Sequence, residues 1–484
     1  MRTLTRRGLH SVLALAAGSL LVMAGAAAPA VAAPGQRDAR AALQALAPPG
    51  LFTWGYDDYG QLGNGQGGGY NGPWPEADIP ISIPLPAGVR QVSALGRDDA
   101  AVLADGRLAT WGYNYFGQIG DGTTILRTTP VVVAGLTGIT QVANGETHML
   151  ALDSTGKVWS WGSNLFGALG NGTTSQVVGS NPTPVPVPGL TAVTQIAAGI
   201  DDSFALRSDG TVWAWGINDH GQLGDGTTVN RDSPVRVPGL AGIKKIFAGY
   251  ETSYAIRTDG SVLAWGNNVS GLLGNGTATG FSATPVAVPG LTGVTQLSAS
   301  YYEALAVAGS AGAVWAWGAN KFGAGGDGTT TPHNTPEQIG LSGVSQVGAG
   351  DEFSVAALAN GSVMTWGEDD VGELGIGGKD TNAHPSPVLV RTLAGVSQVS
   401  AGEDDVMAIG SPAPRIPSVI DDTQAEAAER LQEAGYVLGR VAVVVDVTCE
   451  YIGVVKTQTP PAGTIDPPGT SVSVTIGKAG GKCI

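Results

Sequence analysis

Histidine and cysteine are scarce in this chain: its 484 residues include five histidines and two cysteines. The two cysteines, Cys449 and Cys483, have no histidine near them in sequence, so a metal site built on them is not expected. No G-x-S-x-G, H-E-x-x-H or phosphate-binding motif occurs either. These absences predict a protein that is not an enzyme and that uses no metal or cofactor.

Basic residues are also few, with 25 lysines and arginines against 40 aspartates and glutamates and a formal net charge of −15. A nucleic-acid-binding protein carries a basic footprint, which is missing here. Beyond the N-terminus, no segment is apolar over the roughly 18 residues that a membrane-spanning helix needs. The sequence therefore argues against a nucleic-acid partner and predicts no membrane span in the mature chain.

The first 33 residues have the pattern of an export signal. A basic start with three arginines precedes the apolar stretch 11–28, and Ala30-Val31-Ala32 is a small-x-small cleavage site. We expect a signal peptide over residues 1–32 and a linker over 33–50, in a protein that is secreted and is either extracellular or associated with a cell wall. An uncleaved membrane anchor is the alternative, and the Sec and twin-arginine export routes both stay open.

Glycine and proline, in contrast, are abundant, with 75 and 29 residues, and a Trp-Gly pair recurs seven times. The pairs lie about 50 residues apart and begin at Trp54, Trp111, Trp161, Trp215, Trp265, Trp317 and Trp366. The stretch from Thr194 to Gly239 shows one period, with the predicted strands TQIAAG, SFALR, TVWAWG and SPVRVPG and a hairpin turn at Asp209-Gly210. A four-stranded sheet repeated at this interval is typical of a β-propeller blade.

The two ends of the repeat region complement each other. The first unit, LFTWGYDDYGQLG, has the Trp-Gly pair but no preceding strands, while the last, QVSAGEDDVMAIG, has those strands but no Trp-Gly pair. One blade is therefore predicted to combine both ends, which removes exposed sheet edges. The predicted fold is all-β: a seven-bladed β-propeller over residues 51–410, closed by pairing of both chain ends, followed by a small α+β C-terminal domain.

The repeated pattern AAG…FALRSDGTVWAWGINDHGQLGDGT resembles the regulator of chromosome condensation repeat family, over about residues 51–410. The resemblance implies a seven-bladed propeller. Four residues after the Ala of each Ala-Gly pair, where the family often has histidine, only His148 keeps it; the other six positions hold Asp99, Asp202, Thr252, Glu303, Phe353 and Asp405. The nucleotide-exchange activity of the family's nuclear founder is not carried over, because a secreted acidic protein has no access to that partner.

The strand order places two kinds of loop on one face of the predicted propeller. If the strands of a sheet are called A to D, the A–B and C–D loops emerge together and the B–C turns emerge on the opposite face. The first face combines acids with aromatics and has Arg97 and Lys321 as its only bases, whereas the B–C turns are balanced in charge. Its candidate binding residues are Asp98, Asp99, Asp201, Asp202, Glu251, Glu303, Asp351, Glu352, Glu403, Asp404, Tyr115, Tyr250, Tyr301 and Tyr302.

Two interpretations of this acidic face stay open. It is either a solvated surface that keeps the protein soluble, or a binding face for a protein partner or for a cationic or calcium-bridged ligand. The second interpretation rests on loops held by a rigid scaffold, where aromatic and charged side chains commonly form binding sites. Acid-glycine pairs such as Asp225-Gly226 are interpreted as turns rather than as calcium ligands.

The composition changes after the repeats. Residues 411–415 form a proline-containing linker, and Thr423 to Glu426 is a capping box that begins a helix. The segments TQAEAAERLQEAGY and KTQTPPAGTIDPPGTSVSVTI resemble the PASTA domain of penicillin-binding proteins and bacterial serine/threonine kinases, and the domain is expected over 416–484. The resemblance implies an association with peptidoglycan. In an exported chain, a Cys449–Cys483 disulfide is also predicted, which would staple this small domain.

Taken together, these patterns favour a secreted bacterial, non-enzymatic binding protein that is expected to be a monomer. An acidic propeller face would hold a protein or polymer partner, and the PASTA-like module would associate with the cell wall. A secreted protein inhibitor, similar to exported propellers that inhibit β-lactamases, is one alternative, although acids rather than aromatics mostly follow the Ala-Gly positions. A wall-cleaving enzyme with a carboxylate pair is the other.

Overall fold

The computed structural model describes residues 49–67, 75–175 and 179–480. The predicted signal peptide, most of the linker 33–50 and Cys483 lie outside the described residues, so the disulfide stays a prediction. The described strands form seven four-stranded sheets and one three-stranded sheet.

Strands of the seven four-stranded sheets are numbered in chain order. They are β1 (Gly50–Tyr56) and β2 (Glu76–Ile83); β3 (Val89–Ala94), β4 (Asp98–Leu103), β5 (Leu108–Gly112) and β6 (Arg127–Val132); β7 (Ile139–Asn144), β8 (His148–Asp153), β9 (Val158–Ser163) and β10 (Ser180–Pro186); β11 (Val193–Ala198), β12 (Asp202–Arg207), β13 (Val212–Gly216) and β14 (Arg231–Arg236); β15 (Ile243–Ala248), β16 (Thr252–Arg257), β17 (Val262–Asn267) and β18 (Phe281–Ala287); β19 (Val294–Ala299), β20 (Glu303–Ala308), β21 (Ala313–Gly318) and β22 (His333–Gln338); β23 (Val344–Ala349), β24 (Phe353–Leu358), β25 (Val363–Asp369) and β26 (Asp380–Leu389); and β27 (Leu393–Ala401) and β28 (Asp405–Pro412).

Both ends of the repeat region meet in one sheet, whose strand order is β2-β1-β28-β27. β1 pairs antiparallel with β28 over six residues, so the prediction that one blade combines both ends is confirmed. β28 continues past residue 410, because Ser411 and Pro412 pair with Ala394 and Leu393. The predicted linker 411–415 therefore begins too early: its first two residues belong to the sheet.

The tryptophans of the seven Trp-Gly pairs join each sheet to the preceding one. All seven are fully buried, and each indole Nε1 donates to a backbone oxygen in the C–D loop of the preceding sheet at 2.6–2.9 Å. The second glycine of the G-x-L-G motif lies against the next indole. A Cβ on Gly224 would come within 2.8 Å of Trp265 Nε1, and its φ of +69° also favours glycine. The repeated motif is thus scaffold.

Apolar side chains pack between neighbouring sheets, as where Phe204 and Val212 meet Ile246 and Trp265. The innermost strand of every sheet, strand A, lines a central cavity of about 300 Å³. Each sheet is therefore one blade of a β-propeller, with strand A at the centre and strand D outside.

The C-terminal domain contains α1 (Gln424–Glu433), β29 (Val437–Asp446), β30 (Val455–Thr459) and β31 (Ser471–Ala479), with sheet order β29-β31-β30. The predicted capping box is present, since Thr423 and Glu426 bond reciprocally at the start of α1. Apolar residues that include Ile416, Leu431 and Val472 form a core separate from those of the propeller. In the described part of the chain, no helix is both long and apolar enough to cross a membrane.

Candidate binding face

The A–B and C–D loops lie together on one face of the propeller, called here the loop face. Arg97 of an A–B loop lies 2.7 Å from Glu403 of the neighbouring A–B loop and 3.5 Å from Asp58 of a C–D loop. Lys321 of a C–D loop pairs at 2.6 Å with Glu352 of an A–B loop. These contacts confirm that the A–B and C–D loops share one face, and they show that Arg97 and Lys321 are neutralised locally. The prediction that these are the only bases of the face is wrong, because Lys379 lies in the C–D loop between β25 and β26, where it pairs with Glu76.

Blades are numbered in chain order, so the first is the sheet β2-β1-β28-β27, the second is β3–β6 and the seventh is β23–β26. One aromatic cluster lies on the C–D loops of the first two blades. The rings of Tyr59, Tyr113, Tyr115 and Phe116 contact one another with centroid separations of 4.9–6.5 Å, and Arg97 lies over the Tyr59 ring at 5.3 Å. Tyr115 is 64% exposed, so it presents an apolar surface to solvent. An exposed ring supported by other rings is a suitable anchor for a partner.

A second aromatic cluster lies on the A–B loops of β15–β16 and β19–β20. Tyr301 contacts Tyr250 and Tyr302, with ring centroids 5.8 Å and 4.8 Å away, and Lys321 Nζ lies 4.2 Å above the Tyr302 ring. Tyr301 is 42% exposed. Of the four predicted aromatic contact residues, Tyr115, Tyr301 and Tyr302 therefore remain accessible.

Tyr250 has a different role from the one predicted. Its hydroxyl donates to the backbone oxygen of Leu95 at 3.1 Å, a residue of another blade that lines the central cavity. The side chain is only 6% exposed, because it crosses the end of the cavity. Tyr250 thus covers the cavity at the loop face and is a poor contact for a partner.

Several predicted acidic contacts are also buried, which corrects their assignment to loops. The residue that pairs with the glycine of each Trp-Gly pair begins strand B and is 0–1% exposed in every blade. In chain order from the second blade, these residues are Asp98, His148, Asp202, Thr252, Glu303, Phe353 and Asp405. Four of the seven are acids, and desolvation raises the pKa of each. For Glu303 the raised pKa is about 8.

The strand register corrects one position in this set. Asp98, rather than Asp99, pairs with Gly112 as His148 pairs with Gly162, because the loop glycine Gly96 lies one residue later in its A–B loop than Gly145 does in the third blade. Asp99 is also fully buried, and the carboxyl group of Asp405 is its principal charged neighbour. Burial and neighbouring acidic groups raise the pKa of both Asp99 and Asp405 well above the usual range, so the pair retains a proton.

Around Tyr250, half-buried carboxyl groups remain available at the surface. Burial, together with repulsion from Glu403, raises the pKa of Asp351 to about 8 and that of Asp404 to about 7. Glu146, at the equivalent position in the third blade, has its pKa raised for the same reasons. Asp201 is 6% exposed and accepts a hydrogen bond from Thr147, so it contributes less.

The accessible acids of the loop face are thus fewer than predicted. From the candidate set, they are Glu251, Asp351, Glu352, Glu403 and Asp404. We call these five residues, together with Tyr115, Tyr301 and Tyr302, the accessible contact set.

A cluster of three carboxylates lies at the end of β25 and in the C–D loop that follows it, in the seventh blade. One oxygen each from Glu368, Asp370 and Glu373 lies within 4.8 Å of the others. Burial and neighbouring acids raise the pKa of Glu368 to about 7 and that of Glu373 to about 9. Calcium takes about six to eight oxygen ligands. Three side-chain oxygens offer a partial set, so this cluster carries no metal assignment.

Comparison with protein families gives matches to both parts of the chain. The model described as "RCC1-like domain" matches residues 45–311, and that described as "Regulator of chromosome condensation (RCC1) repeat" matches residues 311–357 and 360–409. The model described as "PASTA domain" matches residues 414–478.

Curated relatives include the human E3 ubiquitin-protein ligase HERC2, which is 30% identical over 373 residues. These residues make up 74% of this chain, and the chain spans only 8% of that protein. The ultraviolet-B receptor UVR8 of Arabidopsis thaliana is 31% identical over 359 residues, covering 72% of this chain and 67% of the relative.

Solved structures share the fold. Human WBSCR16 superposes with a TM-score of 0.67 at 22% identity, covering 75% of this chain and 99% of that one. Prp20p of Saccharomyces cerevisiae superposes with a TM-score of 0.67 at 21% identity, covering 80% and 95%. The arrangement of blades is therefore common to these proteins.

Proposed function

Because this chain belongs to the RCC1-like repeat family and ends in a PASTA domain, we propose that it is a secreted, non-enzymatic binding protein. Its loop face binds a protein partner that presents lysine or arginine side chains. Its PASTA domain associates with peptidoglycan at the cell wall. The two parts act separately, one selecting the partner and the other the location.

The observation that carries the proposal for the loop face is the accessible contact set. Exposed Tyr115 and Tyr301 offer two aromatic anchors, and half-buried carboxyl groups lie between the blades that carry them. Aromatic anchors with adjacent charges are the usual source of binding energy at protein interfaces. A cationic side chain would offset the burial and the repulsion that keep Asp351 and Asp404 partly protonated near neutral pH.

Neutralising accessible acids is expected to weaken the binding of a cationic probe. In the full mature chain, we would replace Glu251→Gln, Glu352→Gln and Asp370→Asn together and measure the affinity for a fluorescent oligolysine peptide by anisotropy. At about 0.5 kcal/mol for each partly exposed charge, the loss is about tenfold. Binding by the wild type should also tighten from pH 6 to pH 9, as Asp351 and Asp404 lose their protons.

The matched control removes the same number of charges from exposed positions on the outer strands, with Asp78→Asn, Asp232→Asn and Glu337→Gln. It should change the affinity less than twofold. Equal losses in the two triple variants would mean that net charge alone attracts the peptide, and the proposed binding face would be abandoned.

The proposed wall association rests on the PASTA match and on the separate core of the C-terminal domain. We expect the mature chain to co-sediment with purified peptidoglycan and a chain that ends at residue 413 to stay in the supernatant. Residues 414–484 alone should sediment as the mature chain does. Sedimentation of the shortened propeller chain, or of none of the three proteins, would contradict this assignment.

A secreted protein inhibitor is the second candidate function. The exposed Tyr115 and Tyr301 favour it, because rigid aromatic side chains on one face are suited to blocking an enzyme's active-site cleft. Inhibition of a β-lactamase panel at nanomolar concentration, lost in Tyr115→Ala and Tyr301→Ala together, would favour this function over the proposed one.

A further inference from the structure

Glutamine side chains connect neighbouring blades around the central cavity. At six of the seven junctions, one glutamine of strand A donates from Nε2 to a backbone oxygen of the next strand A and accepts from the backbone nitrogen of the same residue, at 2.6–3.3 Å. These glutamines are Gln91, Gln141, Gln195, Gln296, Gln346 and Gln398. We call each pair of bonds a glutamine clamp.

The seventh junction, from β15 to β19, has a lysine in place of the glutamine. Lys245 occupies this position, and its Nζ donates to the backbone oxygen of Thr295 at 2.7 Å. A single donor on a flexible stem replaces a planar group that both donates and accepts. The substitution weakens one junction and brings a positive charge to the edge of the cavity.

Lys245 lies near the start of β15, towards the B–C turn face of the propeller. Arg90 and Lys244 are exposed at equivalent strand positions, and Lys245 itself is half-buried. In the part of the chain that the structure describes, none of these three residues has a carboxylate within ion-pairing distance. We call these three residues the basic mouth.

The space beside the basic mouth can hold a small molecule. A pocket of about 370 Å³ is lined by Thr194, Gln195, Leu206, Lys244, Lys245 and Phe247. It adjoins the central cavity at Phe247, and no aspartate or glutamate lines either space. The opposite end of the cavity is covered by Tyr250. The pocket beside Lys244 and Lys245 lies away from the loop face, and no acidic side chain in its lining repels an anion.

We propose that the basic mouth is a binding site for a small carboxylate- or phosphate-bearing molecule. Lys245 and Lys244 hold the anionic group, and Phe247 contacts an apolar part of the ligand. Desolvation and the neighbouring Lys244 lower the pKa of Lys245, because no counter-ion is present to stabilise its charge. An anion supplies that counter-ion. This site lies on the opposite face from the proposed partner site and does not depend on it.

The test is calorimetric titration of the full mature chain with inorganic phosphate and with citrate, at constant ionic strength and with chloride as background. We expect binding of at least one of the two anions, weakened tenfold or more in Lys245→Gln and severalfold in Lys244→Gln. Lys157→Gln is the matched control, since Lys157 lies at a B–C turn and its Nζ is 3.8 Å above the Trp159 ring. It should bind as the wild type does.

The folding of the Lys245→Gln variant is checked independently by its melting temperature. Lys245→Gln should form the seventh glutamine clamp and therefore raise the melting temperature in the absence of added anion. Binding of citrate alone would assign a carboxylate ligand, and binding of phosphate alone a phosphate ligand. Failure of both anions to bind, or equal affinity in the wild type and a folded Lys245→Gln variant, would overturn the proposal.

Discussion

Raising the pH from 5 to 9 is expected to destabilise the folded protein progressively. The carboxyl groups of Asp98, Asp99, Asp202, Glu303 and Asp405 are fully or almost fully buried, and burial raises the pKa of all five. In the unfolded chain these groups ionise near pH 4, so above that pH the folded state holds more protons. The free energy of unfolding therefore falls as the pH rises, until each group reaches its folded pKa.

At lower pH the dependence reverses, and acid lowers the free energy of unfolding. Hydrogen bonds lower the folded pKa of turn residues such as Asp121, Asp225 and Asp327, and their contribution is lost below about pH 4. The stability maximum is thus expected between about pH 4 and pH 5, on the acidic side of neutrality. Urea unfolding between pH 4 and pH 9 measures it.

One variant isolates the buried pair of Asp99 and Asp405. Asp99→Asn removes a group that stays protonated when folded, so between pH 5 and pH 7 the slope of stability against pH should decrease by about 1.4 kcal/mol per pH unit. Asp259→Asn is the control, because this exposed turn carboxylate has a lowered pKa and is ionised in both states over this range. An unchanged slope in Asp99→Asn would show that the pair is already ionised in the folded protein.

Truncating Trp54 is expected to have the largest effect of any single core substitution at the junction between the first and last repeats. Trp54 is fully buried, and its Nε1 donates to the backbone oxygen of Glu373 at 2.8 Å, 319 residues away in sequence. Removing a buried tryptophan costs about 3–5 kcal/mol, and Trp54→Ala also leaves the Glu373 oxygen without its donor. Urea unfolding of the variant measures the loss.

Trp213→Ala is the matched control for this substitution. Trp213 lies two residues before the Trp-Gly pair of its own blade and is half-buried, so its truncation should cost less than half as much. A loss in Trp54→Ala no larger than in Trp213→Ala would mean that the contact with the last repeat contributes little.

The sequence was informative about the scaffold because the scaffold repeats. Seven Trp-Gly pairs, the two incomplete end units and the Thr423–Glu426 capping box were each sufficient to predict what the structure has. The candidate site was less predictable, because burial depends on register. In the second blade the glycine of the A–B loop, Gly96, is displaced by one residue relative to the strand register, so counting from it selects Asp99 in place of Asp98.

Contacts across the propeller likewise could not be predicted from the sequence. Tyr250 and Leu95 lie 155 residues apart, and no local pattern indicates that one covers the cavity beside the other. The glutamine clamps had a visible signal, since a glutamine recurs in six strands A and Lys245 breaks the series. That signal becomes interpretable only when the partner atoms in the next blade are known.

The sheet that combines both ends has a consequence for biosynthesis. β1 is made early, but its partner β28 begins at Asp405, so the ribosome completes all six intervening four-stranded sheets before β1 gains a neighbour on that side. Until then, β1 and β2 are a hairpin with an open edge, which is a template for misassociation. A translation product that stops before residue 393 never acquires the missing strands. Nascent chains should therefore depend on chaperones until synthesis is nearly finished.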